Sequence, residues 1–142
     1  MHKLFIDSDV VLDVFAKRHP FYDHSARLLA QIEKNNALGF TSPLVFANLH
    51  YILRKLKSKD YALKSLRRLR LLIQILTLDA KSVDQALNSD FEDGIQYYAA
   101  KKGGMNFIIT RNKKDFKESS ITVCTPEEYL AILETQNKGN HQ

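Results

Sequence analysis

Only one cysteine, Cys124, occurs in the 142 residues, so the chain has no intramolecular disulfide and no cysteine-built zinc site to stabilise it. Cys124 lies in the apolar run Ile121-Thr-Val-Cys124, which reads as a buried strand thiol rather than a nucleophile. The five histidines (His2, His19, His24, His50 and His141) show no metal-binding spacing. No apolar run approaches the length needed to cross a bilayer, and the Met1-His2-Lys3 start leads within a few residues to acidic positions rather than to a signal-peptide core. A cytoplasmic protein without membrane contact is expected. Internal repeats, low-complexity segments and domain-splitting linkers are absent too, so one domain is expected over residues 1–134, followed by a polar, frayed tail over 135–142.

What is present is ordinary in amount and uneven in placement. Hydrophobic residues make up 44% and charged residues 26%, with a net charge of +5, which mildly favours an anionic partner. Between Arg54 and Arg70 there are eight Lys or Arg residues against the single acid Asp60. A solvated helical face and a phosphate-contacting surface explain this run about equally well; on the second reading Lys64, Arg67 and Arg68, with Arg111 further along, touch nucleic acid.

Short apolar runs alternate with helical periodicities. Lys3–Ile6, Leu38–Thr41, Ile75–Leu78, Phe107–Thr110 and Ile121–Cys124 read as strands. Helices read from Ser8 or Asp9 through Phe15, after Pro20 to Asn35, from Ser42-Pro43 with a stripe of Val45, Leu49, Ile52, Leu53 and Leu56, and through the basic segment with Ala62, Leu66, Leu69 and Ile73 inside. Two more are expected after Asp79 and Asp90, the latter stopped by Gly103-Gly104. Thr125-Pro-Glu-Glu128 is a capping box opening a terminal helix. Strand and helix alternating in this way predict a parallel sheet covered on both faces.

In such a sheet, ligands bind beyond the carboxyl ends of the strands. Asp7 ends the first strand, and Arg111, Asn112 and Asp115 follow the fourth. A helix that leads into a parallel strand starts at the same edge, which brings Asp90, Asp93 and Asn48 there. Each acid taken alone has a structural reading: Asp7 and Asp90 as helix caps, Asp93 as a complement to the helix dipole, Asp115 as a loop acid. Convergence of four segments shifts the balance, because crowded carboxylates repel unless a cation holds them. Oxygen donors of this kind suit Mg²⁺ or Mn²⁺, ions that serve phosphodiester hydrolysis.

The blocks Phe5-Ile-Asp7-Ser-Asp9-Val-Val-Leu-Asp13, Thr41-Ser-Pro-Leu-Val-Phe-Ala-Asn48, Asp90-Phe-Glu-Asp93-Gly-Ile-Gln-Tyr-Tyr-Ala-Ala100 and Ile109-Thr-Arg-Asn112-Lys-Lys-Asp115-Phe116, in this order, resemble the PIN domain family, close to the VapC-type toxins. The resemblance implies a three-layer α/β/α fold with five parallel strands ordered 3-2-1-4-5. It further implies an Mg²⁺- or Mn²⁺-dependent endoribonuclease acting on RNA, neutralised by a small antitoxin protein and forming homodimers. Asp7 and Asp93 match metal-site aspartates of the family, Asp115 joins them as a catalytic candidate, and Asp9, Asn48, Asp90 and Asn112 support them. Two positions depart from the pattern: Asp9 stands where asparagine or a hydroxyl residue is usual, and Asn48 where many members place glutamate. An amide at 48 brings no negative charge, which leaves open a weakly active or inactive module that binds RNA or protein. Asp7-Ser8-Asp9 also resembles the first motif of dehalogenase-like phosphatases, but Val10 stands where that motif has glycine.

Overall fold

The computed structural model describes residues 1–139. Its elements run β1 (Lys3–Ile6), α1 (Ser8–Phe15), α2 (Tyr22–Glu33), β2 (Leu38–Thr41), α3 (Pro43–Leu56), α4 (Lys59–Leu72), β3 (Ile73–Ile75), α5 (Ala80–Ala86), α6 (Phe91–Lys102), β4 (Phe107–Ile109), β5 (Thr122–Cys124) and α7 (Pro126–Gly139), with a 3-10 turn at Lys113–Phe116. The five strands form one sheet ordered β3-β2-β1-β4-β5, and every pairing is parallel. Helices flank it on both faces, giving the expected three layers.

The sheet is anchored by its middle strand. Leu4, Phe5 and Ile6 of β1 are fully buried, and their near-continuous apolar character is what a strand covered on both faces requires. Leu4 aligns with Gly39 on one side and Phe107 on the other. Ile108 and Ile109 complete the centre, and Val45, Leu49, Leu53, Ala62 and Leu69 pack α3 and α4 into the same core. On the far end, α7 packs on α2 and β5 through Tyr129 and Leu133.

Local chemistry sets most helix starts. Asp7 caps α1 by accepting from the Ser8 N–H, Ser42 caps α3 with Pro43 behind it, and Asp79 caps α5 through the Ser82 N–H. The Thr125–Glu128 box is reciprocal: the Thr125 N–H donates to Glu128 Oε1 and the Glu128 N–H to Thr125 Oγ1. Gly103 and Gly104 end α6, the latter at φ +72°, a left-handed conformation that glycine adopts without steric cost.

Four expectations need correction. The third strand lies at Ile73–Ile75, not Ile75–Leu78; α4 runs into it without a turn, so Ile73 belongs to the sheet and not to the helix. Leu56, expected inside, is 55% exposed, in the last turn of α3, whose buried stripe ends at Leu53. Ser8 and Asp9 do not cap α1; Asp7 does. The terminal helix continues to Gly139, past the boundary expected at 134, although its side chains beyond Leu133 are exposed. The end of the expected tail, 140–142, lies outside the described residues.

Candidate active site at the carboxyl edge

Asp7 stands where β1 stops and α1 starts, and its surroundings hold it from three directions. Its backbone N–H donates to the Ile109 carbonyl at 3.0 Å, which continues the β1–β4 ladder into the site. Its Oδ1 accepts from the Ser8 N–H at 2.8 Å and its Oδ2 from the Thr110 hydroxyl at 2.9 Å. The preceding carbonyl, of Ile6, is taken by the Thr41 hydroxyl at 2.9 Å. Hydroxyl residues at the ends of β2 and β4 thus fix the end of β1 between them.

The electrostatics are those of crowded acids. Burial first, then the neighbouring Asp9 carboxylate, with a smaller contribution from Asp93, push Asp7 up to about 6 despite its two hydrogen bonds. Asp93, in the first turn of α6, is raised by burial and then by Asp115, Asp90 and Glu92. The two aspartates therefore share one electrostatic field although they belong to segments more than eighty residues apart. Asp90, Asp93 and Asp115 line a cleft of about 360 Å³ together with Tyr97, Tyr98, Phe116, Lys114 and Lys117.

Asp9 is engaged differently. It too is raised by burial, yet its Oδ2 accepts from the Arg111 N–H at 3.0 Å and from the Thr110 hydroxyl and Asn112 amide at 3.3 and 3.4 Å. Asn112 also donates its backbone N–H to Thr110 Oγ1. Asn112 and Asp9 thus brace one another beside Asp7. Asp90 occupies the N-cap position of α6, but its side chain makes no capping hydrogen bond, so its carboxylate remains free to face the cleft. Asn48 is half-exposed on α3 and its amide has no hydrogen-bond partner among the described residues.

Lys64, Arg67 and Arg68 lie exposed along α4, as a phosphate-contacting face requires. Arg111 does not match its expected role as simply. Its Nε donates to Asp13 Oδ2 at 2.8 Å, and its guanidinium lies 3.9 Å from the centre of the Phe21 ring. Asp13, fully buried, did not emerge from the sequence reading as a site residue, nor did Thr110 or Gln96. The signal for Asp13 was an acid in the otherwise apolar stretch Val10–Phe15, four residues after Asp9 and so on the same helical face. Gln96, three residues after Asp93, accepts from the buried Ser42 hydroxyl at 2.6 Å, tying the site end of α6 to the start of α3.

Among the described residues, no three His, Cys, Asp or Glu side chains are gathered closely enough to hold a metal ion by themselves. The donor set fits an open site. Asp7 and Asp93, each raised by burial and by neighbouring acids, suit Mg²⁺ or Mn²⁺, since Mg²⁺ usually takes one or two protein carboxylates and keeps its remaining positions for water and phosphate.

The family model described as PIN domain matches residues 3–114, which takes in Asp7, Asp9, Asn48, Asp90, Asp93 and Asn112 and stops one residue before Asp115. The chain belongs to the PIN domain family. Among its relatives, Ribonuclease VapC1 of Aquifex aeolicus (strain VF5) is 28% identical over 135 residues, covering 89% of this chain and 92% of the relative. Solved structures share the fold. VapBC2 from Rickettsia felis, crystallised with a DNA fragment from its promoter, superposes with a TM-score of 0.66 at 20% identity, over 86% of this chain and 96% of the other. VapC20 of Mycobacterium tuberculosis, a Sarcin-Ricin loop cleaving toxin, gives a TM-score of 0.67 at 15% identity, over 81% and 94%. Membership in the PIN family displaces the phosphatase reading, and the structure agrees: Asp90 and Asp93 open a helix and do not end a strand.

Proposed function

We propose that this PIN domain is a divalent-metal-dependent endoribonuclease, with Asp7 and Asp93 as the residues that would hold Mg²⁺ or Mn²⁺. The observation that carries this reading is the gathering of acids at one sheet edge: Asp7, at the end of β1, is raised by burial and Asp9 with a smaller contribution from Asp93, and Asp93, in the first turn of α6, by burial and Asp115, a repulsion that a bound cation relieves. The relationship to Ribonuclease VapC1 supports RNA as the substrate.

A divalent ion bound there supplies positive charge to the scissile phosphodiester and acidifies a neighbouring water molecule. The protein's own groups do the remainder. Thr110 and the Ser8 N–H hold Asp7 in one orientation. Asp115, exposed beside Asp93 in the cleft, accepts a proton from the attacking water as the water oxygen bonds to phosphorus, while the bond from phosphorus to the ribose oxygen breaks and that oxygen takes a proton from solvent. Asp90 adds negative charge at the α6 end of the site, and Asn48 contributes an amide oxygen without charge. Lys64, Arg67 and Arg68 offer a phosphate-contacting face on α4, and Lys114 and Lys117 flank the cleft.

As with the toxins of the VapC group, we infer a small antitoxin partner and a homodimer; a short reading frame next to the gene is the observation that tests the first. The enzymatic reading is tested by RNA cleavage with Mg²⁺ or Mn²⁺. Wild type cleaves only with metal, Asp7→Ala and Asp93→Ala lose cleavage by at least about a hundredfold, and Asn48→Glu leaves the rate equal or higher. Metal-independent cleavage surviving in both alanine variants removes the mechanism. Tight RNA binding with no cleavage by wild type or by Asn48→Glu establishes a binding module instead.

A further inference from the structure

Helix α1 and its N-cap carry three buried or half-buried aspartates, Asp7, Asp9 and Asp13, and the metal reading uses only the first. Carboxylates removed from water are tolerated when paired, so Asp9 and Asp13 need a partner. Both find it in one residue. The Arg111 N–H donates to Asp9 Oδ2 at 3.0 Å and its Nε to Asp13 Oδ2 at 2.8 Å. Ser25, also fully buried, donates to the same Asp13 oxygen at 3.0 Å. The second oxygens of Asp9 and Asp13 are buried without a hydrogen-bond partner among the described residues, which leaves Arg111 as the cation nearest to compensating them. Phe21, immediately before α2, lies under the guanidinium face at 3.9 Å, and the Arg111 side chain is 22% exposed.

These contacts pin the turn after β4. Residue 110, immediately before the pinned arginine, directs its hydroxyl to Asp7, and residue 112, immediately after it, reaches Asp9. An arginine bound in this way is directed inward at Asp13, not outward at a polyanion.

We propose that Arg111, locked by Asp13 and Phe21, is a positioning residue that orients Thr110 and thereby the Asp7 carboxylate for its cation. Groups behind a metal ligand fix its orientation, and their loss typically costs ten- to a hundredfold in metal affinity or activity. Lysine keeps the positive charge of Arg111 but has neither the planar fork nor the stacking face, so it separates positioning from simple phosphate attraction. The proposal rests on the metal-nuclease reading for its catalytic consequence, while its binding consequence is measured without RNA.

The experiment uses the full chain and its Arg111→Lys, Asp13→Asn and doubly substituted forms, each first checked for a cooperative thermal transition. Mn²⁺ alone is titrated by calorimetry. The expected result is an Mn²⁺ affinity about ten- to a hundredfold weaker in both single variants, with the double variant no weaker than the worse single one. In RNA cleavage, kcat falls and KM stays within about twofold. Should Asp13→Asn fail to fold, Phe21→Leu takes its place beside Arg111→Lys, with a weaker effect in the same direction. Unchanged Mn²⁺ affinity in Arg111→Lys overturns the proposal, as does a raised KM with unchanged kcat, which marks a phosphate contact. Wild type that binds Mn²⁺ yet does not cleave RNA ends the nuclease reading, and the Mn²⁺ titrations still decide the role of Arg111. Wild type that binds no Mn²⁺ overturns both.

Discussion

Asp7 is held near pKa 6 by burial and by Asp9, which makes its charged form a cost to the metal-free fold. A carboxyl whose folded pKa is raised above its unfolded value favours the folded state below the unfolded pKa, and that contribution is lost as pH rises through the folded pKa. For Asp7 the window runs from about pH 4 to about pH 6. Asp7→Asn removes the charge while keeping an acceptor for the Ser8 N–H. The metal-free variant is expected to melt roughly 3–8 °C above wild type at pH 7.5, a gain of about 1–2 kcal/mol, and to lose that advantage at pH 4. Differential scanning calorimetry at both pH values checks this; a lower melting temperature at pH 7.5 contradicts the assigned cause. In the same window protons compete with metal for Asp7, so Mn²⁺ affinity in wild type is expected to fall as pH drops below about 6.

Single residues also show what could be read from sequence alone. Asp7 and Asp93 were legible because strand–helix order alone takes them to one edge. Asp13 was not, because its meaning depends on Arg111, ninety-eight positions away, and no local pattern carries that pairing. The Ser42–Gln96 hydrogen bond is hidden for the same reason.

Elements with strong punctuation were readable to the residue. β2 begins and ends where its apolar run does, and Ser42, Asp79 and the Thr125–Glu128 box announce their helices. β3 was misplaced because no turn separates it from α4: the helical stripe ending at Leu69 and the strand starting at Ile73 share one apolar sequence, and pairing with β2 decides the boundary. Contact between α5 and α6 is the element-level feature with the clearest effect on the site. A Cβ at Gly94 would approach Ser89 Oγ to 2.4 Å and the Ala86 Cα to 3.1 Å. Since Ala86 contributes backbone there, Gly94→Ala must push the two helices apart, and Asp93 is its neighbour. Overpacking of this kind is expected to destabilise by about 1–3 kcal/mol and to weaken Mn²⁺ binding at temperatures where the variant is still folded. Urea titration and calorimetry measure the two effects; unchanged values for both contradict the close packing.

For the molecule as a whole, the match to the PIN family ends at residue 114, yet the fold does not. α7 closes the sheet's β5 side, with Tyr129 fully buried and its hydroxyl 3.0 Å from the His2 ring Nδ1, joining the two ends of the described chain. Removal of residues 135–142 takes away no buried side chain among the described residues and is expected to shift the melting temperature by less than about 3 °C. Removal of 126–142 uncovers β5 and is expected to leave no cooperative transition. Expression of both truncations with circular dichroism melts distinguishes them; a cooperative melt for the shorter form contradicts the closing role of α7.

Both edge strands of the sheet, β3 and β5, have only three residues each. An edge that brief exposes few unpaired amides, a common safeguard against strand-by-strand growth into filaments. Whatever this protein binds therefore has little backbone to copy, and recognition falls to the side chains presented by its helices and its acidic cleft.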